Sequence, residues 1–287
     1  MLNTSPPYPK LRVESLSKSF AVDGRREQVL DAVDLTVQPG EFISIIGPSG
    51  CGKSTLLNIV AGLDQPDAPG SDAGSGAGSV ALDGDKEAPR LGQVGYMQQK
   101  DLLLPWRTVL DNAILGLEMR GVSRSKARSR ALELTDAFGL TGFEGQYPFT
   151  LSGGMRQRAA FLRTMLMGQD LVLLDEPFGA LDALTRVQMQ EWLLELWDSM
   201  QSTIVLITHD VDEAVLVSDR VYVLTPRPGR VEMVLDVDLP RPRHYDMVTS
   251  PKFGVLKSRL MEPLRSQIQA ARPAGMAQPA GDSALKT

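Results

Sequence analysis

Gly47-Pro48-Ser49-Gly50-Cys51-Gly52-Lys53-Ser54-Thr55 decides the reading of this chain, because it fits the pattern G-x-x-x-x-G-K-[ST] in full. The stretch before it, Glu41-Phe42-Ile43-Ser44-Ile45-Ile46, has the continuous apolar character of a buried strand, and Lys53 to Ala61 has helical character. Strand, glycine-rich turn and helix therefore follow in the order that a phosphate-binding unit requires. The glycines let successive N–H groups and the helix start point at the α and β phosphates of a nucleotide, and Lys53 adds charge toward the β and γ phosphates. Ser54 follows as a hydroxyl ligand for Mg²⁺. Cys51 occupies a variable position of the loop and reads as a small loop residue. Its place near a helix N-terminus predicts a lowered pKa and some reactivity toward alkylation.

A second run, Leu171-Val172-Leu173-Leu174-Asp175-Glu176-Pro177, reads as a buried strand that ends in two acids. In an open α/β sheet such an end is where ligands bind. Asp175 is placed to hold Mg²⁺, and Glu176 to orient or deprotonate an attacking water.

Around these motifs the chain of 287 residues is 43% apolar, enough to bury a sizeable core. A formal net charge of −5 leaves no basic field for a nucleic-acid backbone, so nucleic acid is not expected as a partner. The single cysteine matches a reducing compartment. The stretch from Met1 to Lys10 lacks the charged start and apolar run of a signal peptide, and no window approaches the roughly 20 apolar residues of a membrane-spanning helix.

From Leu11 to Leu35 short alternating segments broken by Asp23-Gly24 and Pro39-Gly40 predict antiparallel strands at a sheet edge. Residues 108–138 carry helical spacing, with Gly121 and Ser123 separating two helices, and a further helix runs from Met155 to Met167. A helix over Ala183 to Met200 leads to an apolar strand, Ile204 to Ile207, and alternation returns over Val221 to Leu239 around Pro226-Arg227-Pro228-Gly229. Strands alternating with helices predict an α/β fold with a parallel sheet covered on both faces. The segment of about 67–79 is rich in glycine and serine and predicts a flexible insertion. Residues 241–287 are expected to form a C-terminal extension with a disordered tail.

Leu151-Ser152-Gly153-Gly154-Met155-Arg156-Gln157-Arg158 narrows the class. It is a glycine-containing turn at a helix start, suited to hold an anion through N–H groups and Ser152. This octet resembles the signature that separates ABC ATPases from other P-loop proteins, and the resemblance spans roughly Leu11 to Leu239. It implies a mixed β-sheet core with an antiparallel β subdomain and an inserted α-helical subdomain at about 100–165, within a nucleotide-binding domain of 11–240. By resemblance, Phe20 stacks on adenine and Gln99 reaches Mg²⁺ and the attacking water. Gln98 is the alternative to Gln99, and counting back from Leu103-Leu104-Pro105-Trp106 selects the latter. His209 resembles the histidine that contacts the γ phosphate. Asp182, in Gly179-Ala180-Leu181-Asp182, resembles the aspartate of a loop that crosses a dimer interface.

The resemblance further implies ATP and Mg²⁺ as cofactors and a head-to-tail homodimer. In that dimer Ser152, Gly153, Gly154 and Gln157 of one copy close over ATP held by Gly47 to Thr55 of the other. A transmembrane permease and a periplasmic or lipoprotein solute-binding protein are implied as partners, with the subunit peripheral at the cytoplasmic face. Gln99 to Trp106 and Pro226 to Arg230 look like the ATPase subunits of nitrate, sulfonate, taurine and pyrimidine-precursor importers. The segment Leu102 to Leu110, with Trp106, is the expected permease contact. An ABC ATPase acting on ribosomes or DNA would need a tandem cassette or a long coiled coil before the signature, and this sequence has neither.

Because the glycine-serine insertion lies apart from every motif in sequence, removing residues 68–77 is expected to leave the ATPase rate within about twofold of the parent, reflecting the low energetic weight of loop length. A phosphate-release assay on the shortened chain checks this, and a large loss refutes it.

Overall fold

The computed structural model describes residues 8–68, 78–200 and 202–270. Most of the glycine-serine insertion and the tail beyond Ala270 lie outside these residues.

The apolar run expected to be a strand before the phosphate loop is β3 (Phe42–Ile46), buried throughout. It sits inside a six-stranded sheet with β5 (Gly95–Met97), β6 (Leu171–Asp175), β7 (Thr203–Ile207), β8 (Arg220–Leu224) and β9 (Val231–Asp236), in the order β5-β6-β7-β3-β8-β9. Pairing is parallel from β5 through β8, and only β9 is antiparallel. Alternate residues of a strand face opposite sides, so a strand covered on both faces must be apolar at every position. β6 shows this directly: Leu171 and Leu173 enter one core, and Val172 and Leu174 the other.

The first core lies under α1 (Lys53–Val60), whose Leu56, Leu57, Ile59 and Val60 pack on the sheet. It also receives β1 (Leu11–Val22) and β2 (Arg25–Val37). Local pattern predicts these as antiparallel strands at a sheet edge, and the family resemblance as an antiparallel β subdomain. In the structure they form their own three-stranded antiparallel sheet with β4 (Ser79–Leu82), in the order β2-β1-β4. The reason is apolar: Leu11, Val13, Leu16, Val33 and Val80 all point into the core above α1, which draws β4 onto the free side of β1.

The second core holds the helices between β5 and β6. The two helices expected over 108–138 are three short ones: α2 (Val109–Ala113), α3 (Leu115–Met119) and α4 (Arg124–Leu132). Beyond Leu132 the chain continues in turns, although Phe138 remains fully buried. α5 (Gly153–Met165) and α6 (Ala183–Met200) complete this face, where Phe161 and Trp192 meet edge to face at 5.3 Å.

After β7 comes α7 (Val211–Val217), and the chain described ends in α8 (Pro251–Ala270), a helix not read from the sequence. Its signal was present: Phe253, Leu256 and Leu260 recur at helical spacing and are buried. Arg243 fastens this region by donating to the carbonyls of Val215, Ser218 and Val237 from a buried position.

α7 also carries a fully buried acid. Glu213 accepts from Thr208 Oγ1 at 2.8 Å through one oxygen, while the other has no partner among the described residues. Burial pushes its pKa up to about 8, with Asp210 and Glu176 pushing the same way and Thr208 and Arg186 opposing. The folded protein thus retains a proton that the unfolded chain loses above the ordinary value of 4.5. This contribution to stability is fully present below the unfolded value and is lost as pH rises through about 8. Melting temperatures of Glu213→Gln and the parent measured from pH 5.5 to about 8.5 are expected to diverge in the variant's favour as pH rises, by several degrees at the alkaline end. A gap that stays constant with pH would show that Glu213 is ionised in the fold.

Candidate nucleotide site

Parallel pairing in register brings four strand ends together. β3 ends at the phosphate loop, β6 at Asp175 and Glu176, β7 at Thr208 and His209, and β5 at Gln98 and Gln99. Such strand ends are where open α/β sheets bind ligands.

The loop's shape rests on Gly52, the residue before α1, at φ +110. A Cβ there would stand 2.6 Å from Leu30 Cδ2 and 3.0 Å from Val29 Cγ1, so the loop is wedged against β2 where no side chain fits. Lys53 folds back over the loop, and its ammonium donates to Gly47 O at 2.8 Å and Pro48 O at 3.0 Å. An arriving phosphate would replace these neutral acceptors with charged ones. Cys51 agrees with its reading as a small loop residue but not with a lowered pKa. It is 1% exposed, and burial raises its thiol pKa despite the nearby Lys53 ammonium. It precedes the helix and faces the core instead of the ligand, so it behaves as a small apolar residue and not as an activated thiol.

Behind the loop, the Ser54 hydroxyl hydrogen-bonds to Asp175, which is buried and has its pKa raised chiefly by that burial. These are hard oxygen donors, the kind a Mg²⁺ ion takes. Among the described residues no group of three or more His, Cys, Asp or Glu side chains gathers to form a cage. That matches an ion which completes its shell with phosphate and water.

Glu176 has φ 46, a left-handed conformation uncommon outside glycine, and its N–H donates to Ile207 O at 2.9 Å. The conformation turns its carboxylate toward the loop. There Oε2 accepts from Gln99 Nε2 at 3.1 Å and lies 3.4 Å from His209 Nδ1. Of the two adjacent glutamines, then, Gln99 meets the acid. A carboxylate held between an amide and an imidazole at the mouth of a phosphate loop is suited to orient a water and accept its proton.

The cleft, about 370 Å³, is lined by Ser49, Gly50, Lys53, Ser54, Gln99 and Glu176, together with Val29 and Arg227. The last two were not expected. Arg227 reaches the site from the β8–β9 turn, and nothing local in its sequence signals that turn's place in space. Phe20 lies near the end of β1, 38% exposed, with the Lys18 ammonium 5.0 Å from its ring centre.

The signature residues are not part of this cleft's lining. Ser152 is exposed and caps α5 by accepting from Met155 N at 3.3 Å. Gly153 is half-buried. Gly154 is buried, and a Cβ on it would meet Thr185 Cγ2 at 2.9 Å. Gln157 is also buried, and its Oε1 has no partner among the described residues. Asp182 is exposed and accepts from Thr185 N at 3.0 Å and Thr185 Oγ1 at 2.7 Å; these bonds hold its pKa below the usual carboxylate value. It therefore also caps the start of α6.

The sequence profile of the ABC transporter family matches residues 30–179. The taurine import ATP-binding protein of Rhizobium johnstonii is 42% identical over 263 residues, covering 89% of this chain and 97% of that protein. The aliphatic sulfonates import ATP-binding protein of Bacillus subtilis is 40% identical over 245 residues, covering 85% and 90%. Among solved structures, a dimeric ABC transporter cassette superposes with a TM-score of 0.68 at 31% identity, covering 80% of this chain and 100% of that one. A post-hydrolysis state of the same cassette, bound to ADP and Pi, gives 0.67 at 30% identity. On the family profile, the identity to these import subunits over most of both chains and the superposition on a solved cassette, this chain belongs to the ABC transporter family and is an ATP-binding ATPase subunit.

Proposed function

We propose that this subunit closes with a second copy, head to tail, over two ATP molecules, and that closure drives uptake of a small solute through a separate permease. The observation that carries the reading is the separation of the two half-sites. The phosphate loop opens into a cleft lined by one set of residues, while Ser152 stands exposed at another helix start. A helix start with free N–H groups is suited to a phosphate anion, which a second copy would bring.

In the closed pair, N–H groups of Gly47, Pro48's neighbour Ser49, Gly50, Cys51 and Gly52 surround the phosphates, with Lys53 and Thr55 completing the loop. Phe20 offers its exposed face to adenine. Ser54, Asp175 and Gln99 would hold Mg²⁺, which supplies charge neutralisation at the β and γ phosphates. Glu176 orients the attacking water and takes its proton, steadied by Gln99 and by His209, a largely exposed side chain that would meet the γ phosphate. From the opposite copy, Ser152, Gly153 and Gly154 contact that phosphate, and Asp182 crosses the interface. Gln157, being buried, acts from behind the helix start. ATP adds phosphates that donors of both copies share, so it binds the closed pair better than the open one.

Among the described residues no helix is long and apolar enough to cross a membrane. A separate permease would dock on Leu102 to Leu110, where Trp106 is 71% exposed and Leu102 50% exposed. Arg163 steadies this segment by donating to the carbonyls of Leu102 at 2.7 Å and Asp101 at 2.5 Å. In this reading the subunit sits at the cytoplasmic face and works with a periplasmic or lipoprotein solute-binding protein. The named relatives favour a taurine- or sulfonate-like solute, with nitrate and pyrimidine precursors as neighbouring classes.

Glu176→Gln is expected to bind ATP, lose roughly 10²–10⁴-fold in hydrolysis as a removed general base does, and accumulate as an ATP-bound dimer in size-exclusion chromatography. Hydrolysis near the parent rate would remove Glu176 from the mechanism. Ser152→Ala is expected to spare ATP binding by the monomer, measured by calorimetry, while weakening dimer formation. An equal loss of monomer affinity would place Ser152 in its own copy's site and end the composite reading.

A further inference from the structure

Arg227 lines the cleft although none of the nucleotide-binding motifs contains it. Two of the lining side chains are cationic, Lys53 and Arg227. Lys53 is occupied by loop carbonyls at the inner end. Arg227 stands at the outer end, where its Nη1 pairs with Glu27 Oε2 at 2.7 Å.

The turn that carries it is fixed from two sides. Gly229 donates to Val29 O at 2.8 Å, and its own carbonyl accepts from Asp31 N at 3.0 Å, so the turn is stitched to β2. Arg230 pairs with Asp31 on the same strand. On the other side Gly229 lies so close to the Cys51 carbonyl that any Cβ would collide with it. The turn therefore touches the phosphate loop directly, and its position cannot drift independently of the loop.

Glu27 locates the guanidinium along the ligand. It is the cross-strand partner of Phe20 in the β1–β2 pair. Two residues further along β2, beyond an irregularity in its pairing with β1, Val29 reaches the phosphate loop at Gly52. Arg227 thus lies between the aromatic platform and the loop, beside the place where the phosphate chain meets the sugar.

Its pair with Glu27 is half-exposed on both sides, at 46% and 49%, and such pairs are weak and readily exchanged. A phosphate offers the same guanidinium a more highly charged, bidentate acceptor. We propose that Arg227 is a nucleotide-binding residue that leaves Glu27 to contact the phosphate nearest the sugar, so that Glu27 acts as its resting counter-ion and tunes affinity by competing for it. The inference rests on the nucleotide site described above.

The test is calorimetry of the full chain with ADP, ATP and inorganic tripolyphosphate, on the parent, Arg227→Ala, Arg227→Lys and Glu27→Gln. Because the contacted phosphate is common to all three ligands, Arg227→Ala is expected to weaken each by about tenfold, the size of one charge-assisted hydrogen-bonded contact. Arg227→Lys should recover part of that, and Glu27→Gln should tighten all three by about two- to threefold. If the pair only braced the turn, Glu27→Gln and Arg227→Ala would weaken binding alike, and the proposal would fail. Unchanged affinity in Arg227→Ala, or a loss that spares tripolyphosphate, would also overturn it. A parent chain that binds none of the three ligands would instead overturn the nucleotide site itself, and the inference with it.

Discussion

The site depends on the parallel hydrogen bonding of β6, β7 and β3. Asp175 pairs with Ile207, and Ile207 with Ile45, so the ends of three strands far apart in sequence are held at one level. Slipping any of them by one residue would turn its alternating faces over, moving Leu171 and Leu173 out of the core above α1 and Val172 and Leu174 out of the other. Because both faces are buried, the apolar cores set the register, and the register sets where the carboxylates, the imidazole and the phosphate loop meet.

Acidity at those strand ends is managed by burial and by polar partners. Asp175 and Glu213 are both buried, and for each desolvation is the largest cause of a raised pKa. Glu176 adjoins Asp175 and contributes to the raised pKa of both. The nearby cations have their own partners: Lys53 is bonded to loop carbonyls, and Arg186 Nη1 pairs with Asp210 Oδ2 at 3.8 Å. Such a cluster favours a ligand that carries its own divalent cation, because the cation offsets the repulsion that burial concentrates.

The phosphate loop is also held from outside its own motif. Leu30 and Val29 of β2 press on Gly52, and Gly229 of the β8–β9 turn presses on Cys51. The small antiparallel sheet is thus a wall of the nucleotide cleft as well as a cover for the core. Any movement of β2 on its strand partner would be transmitted to the loop through close contact, since packed interiors transmit displacement.

Local pattern in the sequence determined the strand, loop and helix from Phe42 to Val60, the acid-ended strand at Leu171–Asp175 and the helix over Ala183–Met200. Each is fixed by neighbours in the chain, through apolar runs, glycine turns and helical spacing. The choice of Gln99 over Gln98, made by family resemblance, agrees with the contact to Glu176, whereas the structure alone decided that Cys51 faces the core and that α8 closes the far side. It likewise decided that β4 joins β1 and β2 in the antiparallel subdomain and that Arg227 enters the cleft. These facts depend on pairings between segments tens to hundreds of residues apart, where contact is set by packing of the whole core, and local pattern carries no record of it.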